Sequence, residues 1–482
     1  MRAASPFRAR GRQRIAATLC VCSTLLHCGT AAAADVLAQV EEWRAANADR
    51  FGIYAQTTGI WQNKWPFPAL YTNLNGSPNS LLPTREGSWT FTATAFLGLR
   101  LWSGAAVYLA PEVISEVPLS GLKGLGGAIQ NAELQKTGGI PPTLYRSRLF
   151  LRQTWDLGGV PVALDFGPLQ LAQVVSSRRV VLTAGNLSVL DVFDRSRFAG
   201  DLRQQFLNMS FLTQTAYDFA ADARGYSWGV AIEWYHDEWT LRAGRFIGPR
   251  NPNQLPLNRQ FFTYYGDQIE IERRYDLAGR PGAMRLLAFR NRWVTGRFED
   301  AIDLWQQNPE AYNATTCDNF NYGSANAGAP DLCWVRRPNV KLGAGVNVEQ
   351  AVNDTLGVFL RGFYADGRTE VYSFTSADRS LALGGILQGT RWGREQDTVG
   401  LGYGASWISS AHAEYLGLGG IDGFVGDGAI NARAEQVVEL YYRCALARAL
   451  WATLDAQRIA NPGYNADRGP VNIVGVRVHA EF

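Results

Sequence analysis

Arg146, Arg148 and Arg152 sit at even spacings in the alternating segment 144–157, and a strand would place all three on one face. Three like charges on one face repel, so they call for carboxylates or a ligand to offset them. A guanidinium suits hydroxyl and carboxylate oxygens, because it is planar, stays ionised and presents its N–H groups at fixed angles. The acids that could answer it are spread along the chain. Glu112 and Glu133 lie upstream, and Asp191 and Asp194 flank Phe193 as a loop or strand-end pair. Glu233, Arg242, Glu270 and Glu272 fall on the polar faces of later alternating segments. Trp102 adds a flat apolar surface, while Trp228, Trp234 and Trp239 read as a girdle at a membrane interface.

Other chemistries fare worse. Glu270 and Glu272 are paired carboxylates of the type that cleaves glycosides, but they stand two apart on one strand, as polar lumens commonly show. A hydrolase needs an activated serine or histidine, and His236 (in a turn), His412 and His479 (in the last strand) offer no such constellation. The Gly-rich runs 400–404 and 417–423 lack the strand–helix context of a phosphate loop and read as relief for barrel curvature. No Cys/His cluster has metal-ligand spacing. The expectation is a protein without catalysis, metal or cofactor.

The elements that must position these groups are strands. In the last twelve residues, Asn472, Val474, Val476, Val478, Ala480 and Phe482 share one face, opposite Gly475, Arg477, His479 and Glu481. A strand with lipid on one side and water on the other reads this way. Similar alternation recurs at 51–58, 89–102, 144–157, 226–235 and 239–246, the last two joined by a tight hairpin at 236–238. It continues at 268–275, 283–292, 341–348, 356–363, 381–388, 398–407, 436–446 and 450–458. Short turns alternate with long polar stretches such as 297–331 and 412–434, as in a barrel with short turns on one rim and long loops on the other. The fold class is therefore all-β: a transmembrane antiparallel barrel of about 16 to 18 strands, with one short helical segment before it.

Residues 1–34 carry five arginines, an apolar stretch and the small-residue run Ala31–Ala34, the pattern of a secretory leader cut before Asp35. Removing those five from the 46 basic residues leaves 41 against 43 acids, net −2, so nothing favours a nucleic-acid partner. Residues 35–50 have helical spacing, with Asp35 placed as an N-cap, and form a short periplasmic segment. Residues 51–482 are one domain. Cys317 and Cys333 bracket a polar loop, and an oxidising compartment would allow them to pair; Cys444 lies within a strand.

With these segments placed, the chain resembles the carbohydrate-selective porins of the OprB type over essentially its whole mature length. The runs that carry the likeness are Gly98–Trp102 followed by Pro111 and Glu112, Tyr145–Thr154, Asp191–Asp194 with Gln205–Asn208 downstream, and Ala220–Tyr226. Arg285–Phe289, Asp378–Leu381, Arg391–Gly393 and Asn461–Pro470 add to it. The resemblance implies a 16-stranded outer-membrane barrel of a Gram-negative cell that passes mono- and small oligosaccharides by diffusion. It departs at Arg195–Leu202, where the family tends to an Asn-rich, Pro-containing segment. Such a pore needs donor–acceptor pairs to replace hydroxyl hydration, flat surfaces for sugar C–H faces, and weak binding. Arg146, Arg148 and Arg152 are then the expected ladder at the constriction. The other partners expected are outer-membrane lipid and the assembly machinery, the latter through the Phe482 strand. The protein would be a monomer or a homotrimer. Alternatives are a general or anion-preferring pore and, from another class, an outer-membrane hydrolase.

Overall fold

The computed structural model describes residue 42 and residues 46–135, 139–307 and 328–482. Its strands are β1 (Phe51–Lys64), β2 (Glu86–Trp102), β3 (Ala105–Val117), β4 (Thr143–Asp156), β5 (Pro161–Leu164), β6 (Gln173–Ser176), β7 (Arg178–Leu187), β8 (Ser227–His236) and β9 (Trp239–Phe246). They continue as β10 (Tyr265–Leu277), β11 (Arg280–Thr295), β12 (Arg337–Ala351), β13 (Leu356–Ala365), β14 (Arg379–Gln388), β15 (Thr398–Trp407), β16 (Glu435–Ala447), β17 (Leu450–Ala460) and β18 (Val471–Glu481). Sixteen of them close into a barrel; β5 and β6 form a separate hairpin within the β4–β7 connection.

Closure follows from the last strand. β18 pairs antiparallel with β1 from Gln56↔Glu481 to Lys64↔Ile473, which leaves the barrel no free edge. Its Val474, Val476 and Val478 are exposed outward, whereas Arg477 and His479 are buried within. No described helix is long and apolar enough to cross a membrane. β8 and β9 are joined by two residues, and Asp237 takes a positive φ of 55°, which a tight hairpin of this hand requires.

Two barrel strands escape the alternation rule. The inner face of β3 is apolar at Tyr108, Ala110 and Ile114, because part of it packs on other protein rather than on water. β7 runs Val180, Val181, Leu182 with no polar break, so its two faces look alike in sequence. β1 is also longer than its apolar pattern, running through the buried Lys64.

The glycines of β15 have a tertiary reason. Gly400, Gly402 and Gly404 point inward, and a Cβ on Gly400 would lie 2.1 Å from the Tyr441 ring. One on Gly402 would lie 2.7 Å from Phe211, in the β7–β8 connection. The expected relief of curvature is thus also a close approach: these positions make room for rings that fill the barrel.

α1 (Met209–Leu212) lies inside the barrel on the β7–β8 connection, whereas the long-loop rim carries α2 (Phe298–Gln307) and α3 (Ser410–Gly417). Within this cap His412 is fully buried, 3.1 Å from Asp378 through Nδ1 and 3.1 Å from Asp422 through Nε2, and it stacks on Phe298. Burial disfavours the imidazolium, but the two carboxylates outweigh it and raise the pKa from 6.5 to about 9. A raised histidine pKa stabilises the fold fully below about 6.5, and that contribution, on the order of 3 kcal/mol, fades as pH climbs through about 9. Protease cleavage within 408–434 is therefore expected to accelerate between pH 7 and pH 10 in the native protein and to lose that dependence in His412→Phe. A pH-independent rate in the native protein would refute it.

The leader lies outside the described residues, and so does most of the 35–50 segment, of which residues 48–50 form a turn. Cys333 is disulfide-bonded, Cys444 is free, and Cys317 lies outside the described residues.

Candidate functional site

The barrel interior is crossed by two inward loops, one between β3 and β4 (loop 118–142, described at 118–135 and 139–142) and one between β7 and β8 (loop 188–226). Both hang on charged residues of the wall. Glu435 on β16 accepts the backbone N–H groups of Gly126 (3.1 Å), Gly127 (2.7 Å), Ala128 (2.7 Å) and Gly463 (2.7 Å). Glu439, two inward positions further along, accepts those of Leu207 (2.6 Å) and Asn208 (3.0 Å). Arg477 donates to the carbonyls of Leu202 (2.7 Å) and Gln205 (2.8 Å), and Arg361 to those of Phe211 (2.8 Å) and Ala199 (2.9 Å). The loops also bind each other: Met209 N donates to Ile129 O at 2.9 Å and Ala132 N to Leu207 O at 3.1 Å. A buried loop needs such partners for its peptide groups.

These loops narrow the lumen to a cavity of about 990 Å³ that includes Arg148, Arg152, Glu112, Glu133, Asp191 and Tyr226 in its lining. Arg148 meets Asp191 through two parallel bonds of 2.7 Å and lies 5.1 Å from the Tyr226 ring centroid. Asp191 is itself fixed by a capping box with Ser188. Tyr226 then reaches Glu112 (3.4 Å), whose other donors include Thr94 (2.7 Å) and Tyr145. Arg203 bridges Glu112 (3.3 Å) and Glu133 (3.4 Å) from the loop side.

A second network lies further along the wall. Arg242 binds Glu233 (3.0 Å), Glu270 (2.7 Å) and Glu272 (2.9 Å), while Arg285 binds Glu272 (2.9 Å) and Glu349 (3.0 Å). The inward positions expected from alternation are thus confirmed for Glu233, Arg242, Glu270 and Glu272. Glu270 also accepts the Asp194 backbone N–H at 2.7 Å, which makes it a third anchor of loop 188–226.

Two expected channel residues, Arg146 and Trp102, are elsewhere, and a third, Asp194, borders the cavity with its carboxylate turned to the protein. Pairing of β3 with β4 slips between Ala110 and Pro111, so that Pro111 faces Arg146 and Ala110 faces Arg148, leaving Ser147 extra. Proline has no N–H to give the ladder, and a bulge there reverses the alternation. Arg146 therefore points outward, exposed and 5.2 Å from the outward Trp228 ring, while Arg148 and Arg152 stay inside. Trp102 is 57% exposed at the β2–β3 turn, where it donates to Gln153. Asp194 is buried, and its carboxylate accepts from Thr213 (2.6 Å), Gln214 (3.0 Å) and Asn347 (2.8 Å), which holds the loop rather than facing a solute.

The residues missed are Tyr145 and Tyr226 at the constriction, Arg195, Arg197 and Arg203 from loop 188–226, and the anchors Arg361, Glu435, Glu439 and Arg477. The departure of 195–202 from the expected motif was the one hint toward this loop.

A family model described as the carbohydrate-selective porin, OprB family, matches residues 98–482. No curated protein matches the chain. Among solved structures, Pseudomonas putida OprB is 15% identical with a TM-score of 0.65, covering 91% of this chain and 96% of that one. The outer membrane channel DcaP of Acinetobacter baumannii is 10% identical with a TM-score of 0.49, covering 90% and 97%. The first of these carries the barrel fold and the family model carries the descent; the protein therefore belongs to the carbohydrate-selective porins of the OprB family, outer-membrane barrels through which sugars diffuse, and is not an enzyme.

Proposed function

We propose that sugars are selected at the chain of contacts Asp191–Arg148–Tyr226–Glu112–Arg203–Glu133. The observation that carries this is Arg148, its plane set by the two bonds to Asp191 and by the Tyr226 ring beneath it. A guanidinium fixed in that way offers its remaining N–H edge without reorganising, and the tyrosine rings offer flat faces for sugar C–H groups. Each arginine here holds at least one carboxylate, so neutral hydroxyls can exchange water for contacts with donors and acceptors that are already held in place. Diffusion is passive, because each contact is weak enough to release.

The arginine-rich residues 1–34 serve export and leave 35–50 in the periplasm, and the outward Phe482 strand serves recognition during assembly. The leader's pattern and the exposed position of Phe482 support this reading. In liposome swelling, glucose or maltose should enter faster than amino acids of equal size; equal rates would favour a general pore. In planar bilayers, Arg148→Ala should raise the half-blocking sugar concentration about ten- to a hundredfold, the worth of one hydrogen bond to a charged group. Unchanged block would remove Arg148 from the selecting contacts.

A further inference from the structure

The channel arginines fall into two groups. Arg148, Arg203, Arg242 and Arg285 each hold a carboxylate. Arg152, Arg179 and Arg195 line the same cavity, yet among the described residues none of them has a carboxylate within ion-pair distance. Arg152 donates to Leu169 O (2.9 Å) and Thr183 Oγ1 (3.5 Å), with the Tyr108 and Phe150 rings 5.3 and 5.2 Å away. Arg179 donates to Ser176 O (3.0 Å) and sits 3.7 Å from the Tyr235 ring centroid. Arg195 makes no hydrogen bond, is exposed to the lumen, and lies near the same Tyr235.

The accessible charge is correspondingly lopsided. None of Glu112, Glu133, Glu233, Glu270, Glu272 and Glu349 is more than 7% exposed, so these acids lie behind the arginines that cover them. The exposed acids of the cavity are Asp165 and Asp201, with Asp191 and Asp222 part-exposed, against exposed Arg195, Arg197 and Arg274 and part-exposed Arg148, Arg152, Arg203 and Arg224. A solute therefore meets guanidinium edges first. Rings fix the planes of Arg152 and Arg179, which lowers the cost of ordering them around a bound oxyanion. The β5–β6 connection, through Leu169 and Gln170, lines this part of the cavity, which places it toward the short-turn, periplasmic rim.

We infer that Arg152 and Arg195, backed by the charge of Arg179, form a carboxylate site for acidic sugars: aldonates or uronates, whose hydroxyls use the paired constriction and whose carboxylate uses this one. The inference rests on the sugar-channel reading above and names a second substrate class for it. Geometry suits the assignment, since an arginine edge takes both oxygens of a carboxylate in one plane.

The test is block of single-channel current by glucuronate and by glucose, extrapolated to zero voltage. In the native protein glucuronate should half-block at a concentration about ten- to a hundredfold below glucose, the factor one charge-assisted hydrogen bond supplies. In the Arg152→Gln/Arg195→Gln double variant that ratio should fall to near one. Arg195→Gln alone, at an exposed position without hydrogen bonds, should lower it part of the way whether or not the double variant folds. Equal block by both sugars in the native protein, or an undiminished ratio in Arg195→Gln, overturns the inference. Acetate competing as well as glucuronate would reduce the site to a general anion preference and overturns it too. Entry of neither sugar would sink the sugar-channel reading itself, whereas glucose entry without a glucuronate advantage sinks only this one.

Discussion

Arg361→Ala should give a barrel that conducts more current than the native channel and unfolds at lower urea. The side chain is 1% exposed and feeds the carbonyls of Phe211, Ala199 and, at 3.4 Å, Asp194. Removing it strands those acceptors in a dry interior at about 1–3 kcal/mol each, for a loss of roughly 3–9 kcal/mol. The loop cannot repair this with water unless it moves off the wall. Such movement withdraws Arg203 from Glu112 and Glu133, so sugar block should weaken as conductance rises. Arg361→Lys keeps the charge but loses the planar fork, and should fall between the two. Native conductance together with a native unfolding midpoint in Arg361→Ala would show that loop 188–226 is held by something else.

The second large effect is expected at Glu435. Its two oxygens accept four backbone N–H groups, two each. Glu435→Gln leaves one oxygen and turns an amide toward a pair of donors, so the variant faces repulsion as well as lost bonds. About 2–4 kcal/mol of the hold on loop 118–142 should go. Because Ile129 and Ala132 bind loop 188–226, the constriction should loosen with it. The expected signs are trypsin cleavage after Lys123 in the folded protein and weaker sugar block. A trypsin-resistant Glu435→Gln channel with native block would contradict the anchoring role.

These two residues also show how much of the site could be read in advance. Glu233, Arg242, Glu270 and Glu272 were placed inside correctly, because alternation along a strand is a local property. Their task was not legible, since nothing in a strand distinguishes a charge that meets solute from one that meets a loop amide. Glu270 looked like a channel wall and anchors Asp194; Asp194 looked like a channel acid and anchors its own loop. Arg146 was misplaced by a single unpaired residue, Ser147, whose effect on every position before it follows only from the partner strand. Arg203 and Arg195 had no periodicity to betray them, because loops carry none.

What the amino-acid order settled on its own was the closed, two-faced wall: a period of two decides which side chains meet lipid, and the valines of β18 state it without reference to any neighbour. Which segments enter that wall was decided only in three dimensions. Leu207 and Asn208 find their acceptor in Glu439, and Phe211 finds its donor in Arg361, across separations that no local pattern spans. A peptide group buried in a barrel must be paired, and it is the far wall, not the adjacent sequence, that supplies the partner.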